Sequence, residues 1–146
     1  MSLRHPGSSR VAAWLLGGFL LAAASLPAAA DDSPGQADLD AAIDAKLSAD
    51  QLDDYGRVLE LCKQAVEKGL NDESRKFAEE LYTGTLVDRA GMLVEAIFAS
   101  PRPDPQWPRM RAFALRDLGE VVGRDPKIGQ AQLMIARLEA LPGGDR

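Results

Sequence analysis

Between residues 48 and 141 the apolar side chains recur at steps of three and four, and no stretch alternates with a period of two. A helix turns once every 3.6 residues or so, and such steps gather apolar groups on one face; a half-buried strand needs strict alternation instead. Leu52, Tyr55, Leu59, Cys62, Val66 and Leu70 make the first such stripe, with Val58 and Ala65 beside them. Asp53, Asp54, Glu60, Lys63, Gln64 and Glu67 fill the opposite face. Ser48 is placed to cap this helix, with Gln51 as its reciprocal partner, and Gly69 closes it.

The same pattern predicts three more helices. Asn71 or Asp72 can cap a long one whose stripe is Phe77, Leu81, Leu86, Ala90, Leu93, Val94 and Ile97. It must end before Pro101, because the PRPDP run (101–105) cannot continue a helix. The next starts near Trp107-Pro108, where proline in the first turn is tolerated. Its stripe is Met110, Ala114, Leu118 and Val121, widened by Phe113 and Val122, and Asp125-Pro126 ends it. The last spans about 127–141, with Ile128, Ala131, Ile135 and Leu138 inward, and stops at Pro142-Gly143-Gly144. The expected fold class is all-α, made of antiparallel helical hairpins.

The N-terminus reads differently. Residues 1–10 are short and basic, with Arg4 and Arg10 and no acid, and 11–24 are an apolar run. Leu26-Pro27 breaks the run, and Ala28 and Ala30 put small residues where a signal peptidase reads. This three-part order predicts a cleavable secretion signal over 1–30 and a periplasmic or secreted product. A membrane span needs about 20 apolar residues. The run here is shorter, so no stable membrane insertion is expected after cleavage. Residues 31–47 read as a linker: flexible over 31–37, where Pro34 and Gly35 act as breakers, with room for a short helix at 39–47. The helical domain occupies 48–146.

Composition removes whole classes of chemistry. The single histidine, His5, lies inside the signal. The remainder therefore has no imidazole to shuttle protons or bind metal, which excludes Ser/His/Asp and Cys/His triads and histidine-containing zinc sites. Cys62 is the only cysteine, so no disulfide or paired redox motif forms within one chain. Net charge is -5, and losing the signal's arginines makes the rest more acidic, which disfavours nucleic acid. The chain is expected to be non-catalytic and to carry no cofactor.

From Trp107 onward the helices resemble the tetratricopeptide repeat. Ala114, Leu118 four residues on and Pro126 eight beyond that reproduce the family's small–large–proline spacing. The segment 127–145 is similar to the first helix of a following repeat, with Ala136 at the small packing position. Val58, Cys62 and Ala65 can take the same places in the first long helix, although Leu70 stands where the proline belongs. The second long helix exceeds repeat length, and the PRPDPQW loop breaks the 34-residue period. The resemblance implies either a right-handed solenoid fragment or, the period being broken, a small helical bundle. The last helix then has three options: to pack back on its predecessor, to expose a docking face, or to belong to something longer.

The resemblance implies a module that presents a groove to a protein or peptide partner, and in such folds the concave face here comes from the second long helix. Lys76, Glu80, Thr83 and Asp88 are its polar candidates, and Trp107 is a candidate anchor. A second reading is an accessory N-terminal piece of a larger exported enzyme, thioredoxin-like or a protease. Cys62 sits on an apolar stripe, where cysteine behaves as a small hydrophobe. The acids Asp31, Asp32, Asp38, Asp40 and Asp44 lack the glycine and spacing of a calcium loop and read as a solvated flank. Glu79-Glu80 and Asp53-Asp54 read as wet helix faces. Nothing in the pattern sets the oligomeric state or names the partner.

Overall fold

The computed structural model describes residues 33–100, 102 and 104–142. The expected signal over 1–30, with Ala28 and Ala30, lies outside the described residues, as do Asp31, Asp32, Pro101, Pro103 and residues 143–146. Among the described residues there are five helices and no strand: α1 (Gln36–Ser48), α2 (Leu52–Lys68), α3 (Asp72–Ala99), α4 (Trp107–Arg124) and α5 (Gly129–Glu139). The all-α expectation holds.

Helix boundaries follow local chemistry. Asn71 caps α3 by accepting a hydrogen bond from the Ser74 N–H at 2.8 Å, and Asp72 and Glu73 lie in the electropositive first turn. Pro108 sits in the first turn of α4, where its missing N–H leaves no bond unmade. Gly69 ends α2 at φ +104°, a conformation that a β-carbon strains. The N-cap of α2 is Gln51, not Ser48 as expected. The Gln51 N–H donates to Asp54 Oδ2 at 2.9 Å, while Ser48 is the last residue of α1 and its hydroxyl turns back to the Asp44 carbonyl at 3.2 Å. Helix α1 runs to Ser48, so the cap falls three residues later, at Gln51.

Helix α1 begins before the short helix expected at 39–47, and it packs against its neighbours. Leu39 and Ala42 are buried, and Leu39 joins Ala65, Leu70 and Ala78 in a small apolar cluster. Lys68 Nζ lies 2.7 Å from Asp38 Oδ2, and Lys46 pairs with Asp88, so ion pairs tie α1 to α2 and to α3. The stretch expected to be a linker is thus largely a structural helix.

Helix α3 is the spine. Thr85, Leu86 and Val87 are buried in succession, which a helix covered on one side cannot achieve. Helix α3 contacts all four of the other helices. The main core joins Val58, Leu59 and Cys62 of α2 to Leu86, Val94 and Ile97 of α3 and to Ala114, Leu118 and Val121 of α4. Helix α5 adds Ala131, Met134 and Leu138 to it, so α5 packs back on α3 and α4. Leu133 on its other side is exposed.

Five expected inward residues face outward. Leu52, the first residue of α2, is 39% exposed, and Phe113 is 37% exposed because it lies between the Arg89 and Arg116 guanidinium groups. Phe77 is 45% exposed, because the buried stripe of α3 starts at Ala78 and runs through Tyr82 and Leu86. One residue turns a helix by roughly 100°, enough to leave that stripe. Ala136 is exposed because α5 buries Ala131, Met134 and Leu138, which places Ala136 on the far side. Pro126 is exposed in the turn between α4 and α5, whereas Ala114 and Leu118, its companions in the repeat-like spacing, are fully buried.

Candidate functional site

The polar candidates on the second long helix fall together. Lys76, Glu80 and Thr83 are spaced at four and three residues, which on a helix keeps them on one side, and Asp88, five residues further on, lies well round the helix yet still borders the same groove. With Glu79, Gly84 and Val87 they form one wall of an open groove of about 650 Å³. The opposite wall is the end of α4 and the turn into α5: Arg124, Asp125, Ile128 and Gln130. The turn is held by Asp125, whose Oδ1 accepts from the Lys127 N–H at 2.8 Å, and by Gln132, whose side chain donates to the Pro126 carbonyl at 2.6 Å. Gly84 faces open space, and the absence of a side chain there helps keep the groove wide.

Trp107 does not join them. It is half-buried at the start of α4 and packs against the main core. The Trp107 backbone N–H donates to the Asp104 carbonyl at 3.0 Å, closing the turn that leads into α4.

A smaller groove of about 310 Å³ lies beside the first and shares Glu79 and Arg124 with it. Cys62, Lys63, Val66 and Glu67 of α2 and Ala78 and Tyr82 of α3 complete its lining. Tyr82 is its centre. The guanidinium of Arg124 lies 4.7 Å from the ring centroid and the ammonium of Lys63 lies 5.6 Å from it, both within cation–π range. Burial, together with the neighbouring Glu120 carboxylate, raises the Tyr82 phenol above its ordinary value. Burial also opposes ionisation of Glu120. Hydrogen bonds from Tyr82 and Arg124 and the charges of Arg124 and Lys63 outweigh it, and Glu120 lies below the usual carboxylate range. Tyr82 therefore stays a neutral donor beside an ionised acceptor, an arrangement suited to fixing geometry.

Cys62 is 1% exposed, and burial pushes its thiol up to about 11. A thiol so protonated and covered is a poor nucleophile, in keeping with its place on the apolar stripe. Among the described residues no three His, Cys, Asp or Glu side chains gather closely enough to hold a metal ion. Nor is any described helix long and apolar enough to cross a membrane.

The most buried charges lie on α3 and α4, outside the lining of either groove. Arg89 of α3 and Asp117 of α4 are 11% and 2% exposed and form a bidentate pair. Phe113 packs between Arg89 and Arg116, its centroid 4.9 and 4.4 Å from the two guanidinium carbons. Asp117 escaped the sequence reading although a signal was present: it sits between Ala114 and Leu118 on the buried face of α4, where an acid needs a partner.

No protein-family model, curated protein or solved structure matches this chain.

Proposed function

We propose that this chain is an exported, non-catalytic helical module, tetratricopeptide-like in its hairpins, that holds a protein or peptide segment in the groove along α3. The observation that supports the reading is the wall formed by Lys76, Glu80, Thr83 and Asp88 against the α4–α5 turn. The helices that build it are fastened by buried packing and by the Arg89–Asp117 pair, so the groove stands on rigid elements and needs no ordering when a partner arrives. Its mixed lining, apolar at Val87 and Ile128 and charged at the rim, suits a polypeptide surface. Once the signal with His5 has gone, the chain has no imidazole, and its only thiol is buried and protonated. Both points favour holding over turnover.

A photo-crosslinking residue at position 83, introduced into the full chain in producing cells, tests this. A defined polypeptide adduct is expected, and it should disappear when Gly84→Trp fills the groove. Adducts that are unchanged by Gly84→Trp, or none at all, would sink the reading.

A further inference from the structure

We infer that the occupant of the groove is a lysine- or arginine-bearing polypeptide segment, an inference that rests on the groove being a binding site as proposed above. Six charged side chains line the larger groove: Lys76, Glu79, Glu80, Asp88, Arg124 and Asp125. Both cations are already engaged. Lys76 Nζ lies 3.9 Å from Glu80 Oε1, and Arg124 Nη2 lies 3.0 Å from Glu120 Oε1 with its guanidinium over Tyr82. Asp88 has Lys46. Glu79 and Asp125 remain, and among the described residues neither has a cation within ion-pair distance.

Those two carboxylates come from opposite walls. Glu79 stands on α3 and also lines the smaller groove; Asp125 stands on the turn that closes α4. A segment lying between the walls meets both, with Val87 and Ile128 offering apolar contact between them. An acidic segment would bring like charge against two unneutralised carboxylates, which is a strong device for rejecting a partner. A neutral one would gain the apolar contact alone. A cationic side chain gains that contact and supplies the charge that this lining lacks.

The full chain is titrated into short labelled peptides that alternate leucine with lysine, with glutamate or with serine, at low and high salt, with fluorescence anisotropy as the readout. The proteins are wild type, Gly84→Trp and the charge-reversed Glu79→Lys/Asp125→Lys. All three positions are exposed, and circular dichroism checks that each variant keeps its helices. The lysine peptide should bind and weaken roughly tenfold or more with each variant, and its binding should fall as salt rises. If the glutamate or serine peptide binds as tightly and Gly84→Trp removes it, the charge assignment fails while the groove survives as a binding site. Lysine-peptide binding indifferent to Gly84→Trp overturns both, and so does the absence of binding by every peptide.

Discussion

Arg89 on α3 holds Asp117 on α4 through two parallel hydrogen bonds, Nε to Oδ2 at 2.8 Å and Nη2 to Oδ1 at 2.9 Å. The forked geometry fixes both the distance and the rotation between the two helices, which a single ammonium cannot do. Asp117 is 2% exposed, so its carboxylate oxygens rely on this partner for the hydrogen bonds that water cannot reach to supply. Arg116 approaches Oδ1 at 3.6 Å but is itself largely exposed and contributes less.

Removing one side of that pair strands the other. Asp117→Ala should cost about 3–5 kcal/mol of unfolding free energy, the usual penalty for an orphaned buried charge. Arg89→Met with Asp117→Leu removes both charges and should recover most of that loss. Urea unfolding of both variants checks this; a double variant as unstable as the single one would contradict it.

Gly35 is tied to a different feature. Its φ is an ordinary −87°, so freedom of backbone is not what the site requires. Space is. A β-carbon there would lie 2.0 Å from the Ala65 carbonyl oxygen, on a stretch of backbone that cannot swing aside as a flexible side chain would. The Gly35 N–H also donates to the Gly69 carbonyl at 2.9 Å, locking the start of α1 against the end of α2. Gly35→Ala should push α1 off α2 and destabilise the chain by about 1–3 kcal/mol, in the range of overpacked sites. Hydrogen exchange should show the loss concentrated in α1, with α4 and α5 little changed. Uniform loss across all helices would argue against a local clash.

The helices were legible because each obeys a local rule: a stripe at steps of three and four, a cap such as Asn71, a stop such as Gly69. What escaped was set by packing between distant segments. Helix α1 alternates its apolar residues weakly, and only its neighbours on α2 and α3 give Leu39 and Ala42 a buried side. Phe77 falls on the predicted stripe, four residues before Leu81, yet the buried face of α3 is decided by where α2 lies. The groove candidates Lys76, Glu80 and Thr83 were nameable as one helix face, with Asp88 further round it. Their opposite wall was not, because Asp125 and Ile128 reach them only once α5 folds back.

Cys62 offers a probe of this core. With the thiol raised to about 11 by burial, almost none of it is thiolate at pH 8, and the sulfur is covered as well. Labelling by a thiol reagent should therefore be slow in the native chain and become fast in urea, with a midpoint matching the loss of helical circular dichroism. Fast native labelling would mean that α2 opens on its own.

Asp54 gives the fold a dependence on acid whose sign is fixed. It accepts the N–H groups of Gln51 at 2.9 Å and Asp50 at 3.2 Å, bonds that favour the carboxylate and lower its pKa from the ordinary 3.8. A folded value below the unfolded one contributes stability that is fully present above the ordinary aspartate value and is lost as pH falls through the folded one. Asp54→Asn keeps the shape and removes the charge. Its melting temperature should lie below that of the wild type near neutral pH, and the gap should close progressively as the pH drops below about 4. A gap that stays constant across that window would show that the carboxylate's ionisation plays no part in starting α2.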